Sequence, residues 1–287
     1  MQEFNIELPK EVLTAEKHDK IDFSALEGKV IIGLMGYAKS GKDFITKTFI
    51  EDYGYQRVAF ADNIKKEMNQ YLKELVCEDI NTRELEEVNK LTAQGDLVNW
   101  RPWTPDRIDF FTEDLSLKKV LRPYIIWYGE KLRNVNGKFC WINRAFKEDG
   151  KDMDKIVLSD VRRLAELDVF RDSNEFKKRF RNSMLEAGVV DAKTSGVNNY
   201  GTLLFEVNQF GLTDSDNLTI ETIQAAREQW LIDDTFYVDP RVPAEGPYRT
   251  KAMEAQIKRI VKKFGIETPV KTKNTQTNIY QVPGVEH

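Results

Sequence analysis

The stretch Val30-Ile-Ile-Gly-Leu-Met-Gly-Tyr-Ala-Lys-Ser-Gly-Lys-Asp43 decides how this chain is read. An apolar run ends in a glycine-rich turn with a lysine inside it. Phe44, Ile45, Thr48, Phe49 and Ile50 follow at the spacing of one helical face. Strand, glycine turn, lysine and helix together predict a phosphate cradle. Backbone N–H groups freed by Gly36 and Gly41 point inward, the helix start adds positive potential, and Lys42 reaches the outer phosphates. The candidate phosphate-binding set is Gly36, Lys39, Ser40, Gly41, Lys42 and Asp43. In the strict pattern G-x-x-x-x-G-K-[ST] a Mg²⁺-binding hydroxyl follows the lysine, and here Asp43 stands in its place.

Composition agrees with a folded enzyme. The 287 residues can bury a sizeable core, and 31% charged with 41% hydrophobic residues describes a globular chain. A formal charge of −4 argues against broad nucleic-acid binding. No apolar stretch is long enough to span a bilayer, and Met1 to Lys20 lacks the apolar region of a signal peptide. Cys77 and Cys140 are far apart and lack metal-ligand spacing, which points to reduced thiols and a cytoplasmic setting.

The histidine count removes several chemistries. Only His18 and His287 exist, so a Ser-His-Asp triad, a Cys-His pair and the usual zinc sites are disfavoured. Lysine, arginine and carboxylate remain plentiful. That set suits phosphoryl transfer, in which positioning and charge stabilisation do most of the work.

Along the chain, residues 1–27 read as a polar N-terminal extension. A strand is predicted at Lys29 to Met35, a helix to Asp52 and a second strand at Tyr55 to Phe60, as in a βαβ unit. Ala61 opens a helix towards Cys77. Residues 79–116, with Trp100, Trp103 and Phe111, read as an insertion whose aromatic residues serve its own packing. Helices follow at Lys118 to Arg133 and Trp141 to Phe146, then a buried strand at Lys155 to Asp160 and a helix through Leu167 and Phe170. A basic helix is expected at Asn174 to Glu186, and 188–218 reads as loop. Thr219 to Trp230 suits a helix with Thr219 as N-cap, Thr235 to Asp239 a last strand, and Lys251 to Phe264 a final helix.

The ordered set of motifs resembles the bacteriophage deoxynucleoside monophosphate kinases, within the P-loop nucleotide kinase group. Four places carry the likeness: the cradle Gly36 to Asp43; Phe60-Ala-Asp-Asn-Ile-Lys65; Arg122, Trp127, Gly129, Arg133 and Trp141; and Leu158-Ser-Asp-Val-Arg162 with Glu166 following. It covers roughly residues 28–240. Phe44 stands where the family has threonine, Arg163 and Leu164 where it has an aromatic–proline pair, and 171–235 matches poorly.

The resemblance implies a three-layer α/β P-loop nucleoside monophosphate kinase fold over 28–240. A helical insertion at 75–116 would lie over the acceptor site, a lid near 171–218, and a helical or loose segment at 241–287. It implies phosphate transfer from ATP to a deoxynucleoside monophosphate with Mg²⁺, in the host cytoplasm, with a homodimer left open. Lys42, Asp160 and Arg162 would be catalytic. Asp62, Lys65, Arg122, Arg133, Trp141 and Arg162 would bind the acceptor.

Each of these residues also has a structural alternative. Asp43 either holds Mg²⁺ or simply favours the helix start. Asp160 either anchors metal, orients Arg162, or caps a helix. Asp62 is equally a helix cap, and any one of Arg122, Arg133 and Arg162 alone reads as a surface ion pair. Arg179 and Arg181 fall where such kinases keep a lid, but read better as a solvated basic helix. Two other functions compete: a P-loop kinase acting on a modified base in phage DNA, and a non-catalytic nucleotide-binding protein.

Overall fold

The computed structural model describes residues 4, 6–13, 17–26, 29–37, 39–94, 99–171, 202–209, 217–229, 231–239, 247–264 and 266. Among the described residues, five parallel strands form one sheet: β1 (Val30–Met35), β2 (Gln56–Val58), β3 (Lys155–Leu158), β4 (Thr202–Gln209) and β5 (Asp234–Val238), in the order β2-β3-β1-β4-β5. Helices are α1 (Lys42–Tyr53), α2 (Phe60–Tyr71), α3 (Lys73–Ala93), α4 (Leu115–Asn136), α5 (Cys140–Lys147), α6 (164–171), α7 (Asn217–Glu228) and α8 (Pro247–Phe264).

β1 reads as an unbroken apolar run because it is central and covered on both faces. Ile32 and Leu34 join Val157, Phe205 and Phe236 against Ile45 and Phe49 of α1 and Ile257 and Ile260 of α8. Ile31 and Met35, with Ile156, Leu158 and Leu204, face Phe146, Phe170 and Ile223 on the other side. The period-two alternation thus builds the three-layer α/β architecture expected from the sequence.

A third cluster is helical. Met68, Leu72, Val76, Leu121, Tyr128 and Trp141 pack together beside the sheet, and Phe4, Ile6 and Val12 of the N-terminal segment complete it. The Phe4 ring lies 4.2 Å from that of Tyr124, so this stretch is docked on α4.

Three expectations change. The helix opened at Ala61 does not run on to Cys77. It ends at Tyr71, and α3 starts anew after Leu72, whose φ of −121° breaks the turn. Within 188–218, read as loop, residues 202–209 are β4, which lies directly beside β1. Its apolar signal is cut by Glu206 and flanked by Gly, Asn and Asp, so a short interior strand looks polar. Thr219, expected as an N-cap, is 1% exposed inside α7, two residues after the helix starts. The predicted basic helix at 174–186 lies outside the described residues, and with it Arg179 and Arg181.

Candidate active site

The turn after β1 has the backbone that glycine permits. Gly36 takes φ +152°, Lys39 +63° and Gly41 +103°, and α1 begins at once with Lys42. A side chain at Gly36 has no room: a Cβ would lie 2.4 Å from Val207 O on β4. Lys42 is only 6% exposed, and its ammonium donates to Gly36 O and Tyr37 O, both at 2.8 Å. The lysine is therefore folded back over the mouth of the turn. Ser40 Oγ is buried in the same turn with no hydrogen-bond partner among the described residues.

β3 lies beside β1 in parallel, so the residues after Leu158 emerge at the same sheet edge as this turn. That is where parallel α/β sheets present ligand-binding groups. Asp160 Oδ1 stands 4.0 Å from Lys42 Nζ and accepts from Arg162 Nε at 2.5 Å. Glu166, on the first turn of α6, accepts from the backbone N–H of Arg162 at 2.8 Å and of Arg163 at 3.1 Å. Burial pushes its carboxyl up to about 6, against the pull of those amides and of Arg133 and Arg163.

The chain of charge continues onto α4. The Arg163 guanidinium donates to Glu130 Oε1, and Arg133 Nη1 donates to the same oxygen at 3.1 Å. Burial, and then repulsion from Arg163, lowers the pKa of Arg133. Lys42, Asp160 and Arg162 thus form one linked set and Arg163, Glu130 and Arg133 another, with Glu166 holding the backbone of Arg162 and Arg163 between them. Glu130 and Arg163 were not picked out from sequence. The Glu130–Arg133 spacing of one helical turn and the Arg162-Arg163 doublet were the signals available.

A second arm reaches α2. Arg57 bridges Ser159 Oγ (3.1 Å) and Asp62 Oδ2 (2.6 Å), while Lys65 lies 3.8 Å from Asp62 and 5.2 Å from the Phe111 ring centre. Asp62 and Lys65 therefore flank the Asp160 loop. Trp100 and Trp103 both donate their indole N–H to Glu84 of α3, which accounts for them within the insertion itself.

Two expected acceptor residues stand apart. Trp141 is 2% exposed and spends its indole N–H on Gly129 O at 3.0 Å, so it braces the α4 turn that carries Glu130 and Arg133. Arg122 lies three helical turns before Arg133, about 16 Å along the axis. It lines a separate groove of about 570 Å³ with Lys118, Pro123 and Trp127.

No protein-family model matches the chain, and no curated protein matches it. Among solved structures it is similar to TT1252 from Thermus thermophilus, at 13% identity and a TM-score of 0.30, over 81% of this chain and 96% of that one. It is also similar to a gluconokinase from Sinorhizobium meliloti 1021, at 14% identity and a TM-score of 0.25, over 82% and 94%. Both likenesses are too loose to carry an activity to this chain.

Asp43, in the first turn of α1, lines a groove of about 220 Å³ with Lys39, Gly41, Phe44, Val238, Thr250 and Met253. No cluster of three or more metal-ligating side chains exists among the described residues. The donor set still fits Mg²⁺, which takes one or two carboxylates and fills its shell with phosphate oxygens and water. Asp43 follows the turn's lysine directly and Asp160 lies 4.0 Å from that lysine's ammonium, so these two carboxylates would hold Mg²⁺. Among the described residues, no helix is long and apolar enough to cross a membrane.

Proposed function

We propose that this protein transfers a phosphoryl group from ATP to a nucleoside monophosphate, in the manner of the deoxynucleoside monophosphate kinases its sequence resembles. The observation that carries this is that Asp160 pairs with both Lys42 and Arg162, and that the next residue, Arg163, pairs with Glu130 and through it with Arg133. A donor cradle alone would suit any nucleoside triphosphatase. A cradle with Arg162 linked to it through Asp160, and a second arginine pair beginning at the next residue, suits two phosphates held end to end.

In this scheme the main-chain amides of residues 39–42 hold the triphosphate, and Lys42 leaves Gly36 O and Tyr37 O to meet its outer oxygens. Asp43 and Asp160 would hold Mg²⁺, which supplies charge neutralisation between the phosphates. Arg162 and Arg133 grip the acceptor's phosphate through their guanidinium forks. The acceptor is already an anion, so no strong base is required. The protein must instead overcome repulsion between the two phosphates and keep them in line.

The test is to incubate the protein with ATP, Mg²⁺ and a panel of deoxy- and ribonucleoside monophosphates, and to follow ADP release. Release that depends on one or a few monophosphates supports the proposal. Release that is indifferent to all of them, or that follows DNA instead, overturns it.

A further inference from the structure

Glu130 is an odd neighbour for a phosphate site. Its Oε1 alone receives both the Arg163 and the Arg133 guanidinium, each through Nη1. All three side chains are partly buried, at 13% exposure for Arg133, 23% for Glu130 and 24% for Arg163. Two cations thus share one anionic oxygen in a partly desolvated place, and the backbone of Arg163 is held with that of Arg162 by Glu166.

Carboxylate and phosphate oxygens are interchangeable partners for a guanidinium, but a phosphate monoester brings nearly twice the charge and more acceptor oxygens. A carboxylate that serves two arginines from one oxygen leaves their forked geometry unused. A dianionic phosphate entering between Arg133 and Arg163 meets both in two-pronged fashion and displaces Glu130 towards solvent.

We propose that Glu130 is a place-holding anion for the acceptor's phosphate, and that Arg163 is a phosphate-gripping residue beside Arg133. The proposal rests on the acceptor site described above. Until a phosphate arrives, Glu130 keeps two like charges from repelling each other. Once it arrives, Glu130 is its competitor, so the carboxylate lowers affinity for anything that is not a strong dianion. Glu130 acts through the arginines and is a positioning residue, not a catalytic one.

Inorganic phosphate, titrated calorimetrically with and without ADP present, is the probe. Glu130→Gln keeps the shape and removes the competing charge, so it is expected to bind phosphate at least about tenfold more tightly, the low end of a close charge-pair effect. Glu130→Asp should return affinity towards wild type, and Arg163→Gln should weaken it by a similar factor. In steady state, Glu130→Gln should lower the KM for the acceptor and leave the KM for ATP in place. If Glu130 were only a structural brace, Glu130→Gln would bind phosphate equally or more weakly, and that result overturns the proposal. Should Glu130→Gln fail to fold in a thermal melt, Arg163→Gln decides: unchanged phosphate affinity there overturns it as well. Tighter phosphate binding in Glu130→Gln with every monophosphate inert as a substrate would sink the kinase function and leave the place-holder standing. Active turnover with phosphate affinity and acceptor KM unmoved would do the reverse.

Discussion

The Lys42 ammonium stands 4.0 Å from Asp160 Oδ1, across the shared edge of two adjacent parallel strands. Neither residue owes its place to the other's sequence neighbourhood. Lys42 is set by the turn after β1, and Asp160 by the loop after β3. The pairing of those strands brings a cation that suits a phosphate donor beside a carboxylate that orients Arg162. Phosphate chemistry at this edge therefore has both signs of charge within one layer of atoms.

Lys42→Met removes the cation but fills a similar volume, which matters because the side chain is 6% exposed. Phosphoryl transfer should fall by at least about 100-fold, the scale of losing one charged transition-state contact. The fold should survive. ADP release and far-ultraviolet circular dichroism on the same preparation check both halves.

Gly36→Ala tests the cradle's backbone. At φ +152° with Val207 O only 2.4 Å from the added carbon, β4 or the turn must shift. We expect a loss of about 2–4 kcal/mol in stability, together with weaker ATP binding. Urea unfolding and titration of a fluorescent ATP analogue read the two effects. Wild-type values in both would rule out the described turn.

The buried Glu166 predicts a pH dependence of definite sign. Its carboxyl is raised from 4.5 to about 6 by burial, so the folded form binds the proton more tightly than the unfolded chain. Its contribution to stability is full below about 4.5 and is lost as pH rises through about 6. Glu166→Gln should flatten this by on the order of 2 kcal/mol between pH 4.5 and pH 7. Denaturant unfolding of both proteins at several pH values measures it, and identical slopes would contradict it.

Trp141→Phe deletes one buried hydrogen bond, the 3.0 Å contact to Gly129 O, while that carbonyl keeps its place in the α4 ladder. A cost of about 0.5–1.5 kcal/mol is expected. Because the same helical turn carries Glu130 and Arg133, the KM for the acceptor should rise more than the KM for ATP. Thermal melts and steady-state kinetics separate packing from site effects.

Arg122→Ala is the contrasting case. It lies about 16 Å along α4 from Arg133, so the acceptor KM should move by less than about threefold. A loss as large as that of Arg133→Ala would mean that the two ends of α4 serve one ligand.

The sequence by itself determined the parts whose signal is local. The apolar run at 30–35, the glycines at 36 and 41, and the helical spacing after Lys42 each follow from near neighbours along the chain. They sufficed for β1, the turn and α1. The strand that leads to Asp160 was legible for the same reason, although it ends at Leu158 and leaves Asp160 in the loop. β4 was not, because a buried strand holding Glu206 beside β1 is apolar only in its tertiary setting, where Arg227 answers that charge. The arginine cluster was half legible: Arg133 and Arg162 stood out by resemblance, whereas Glu130 and Arg163 acquire meaning only when α4 packs against the loop after β3. Contacts between residues more than 30 positions apart are fixed by how helices and strands stack, and no local pattern encodes that stacking. The distance from Arg122 to Arg133 follows from their spacing on one helix, whereas tertiary structure alone decided that Trp141 is a brace and that Lys42 faces Asp160.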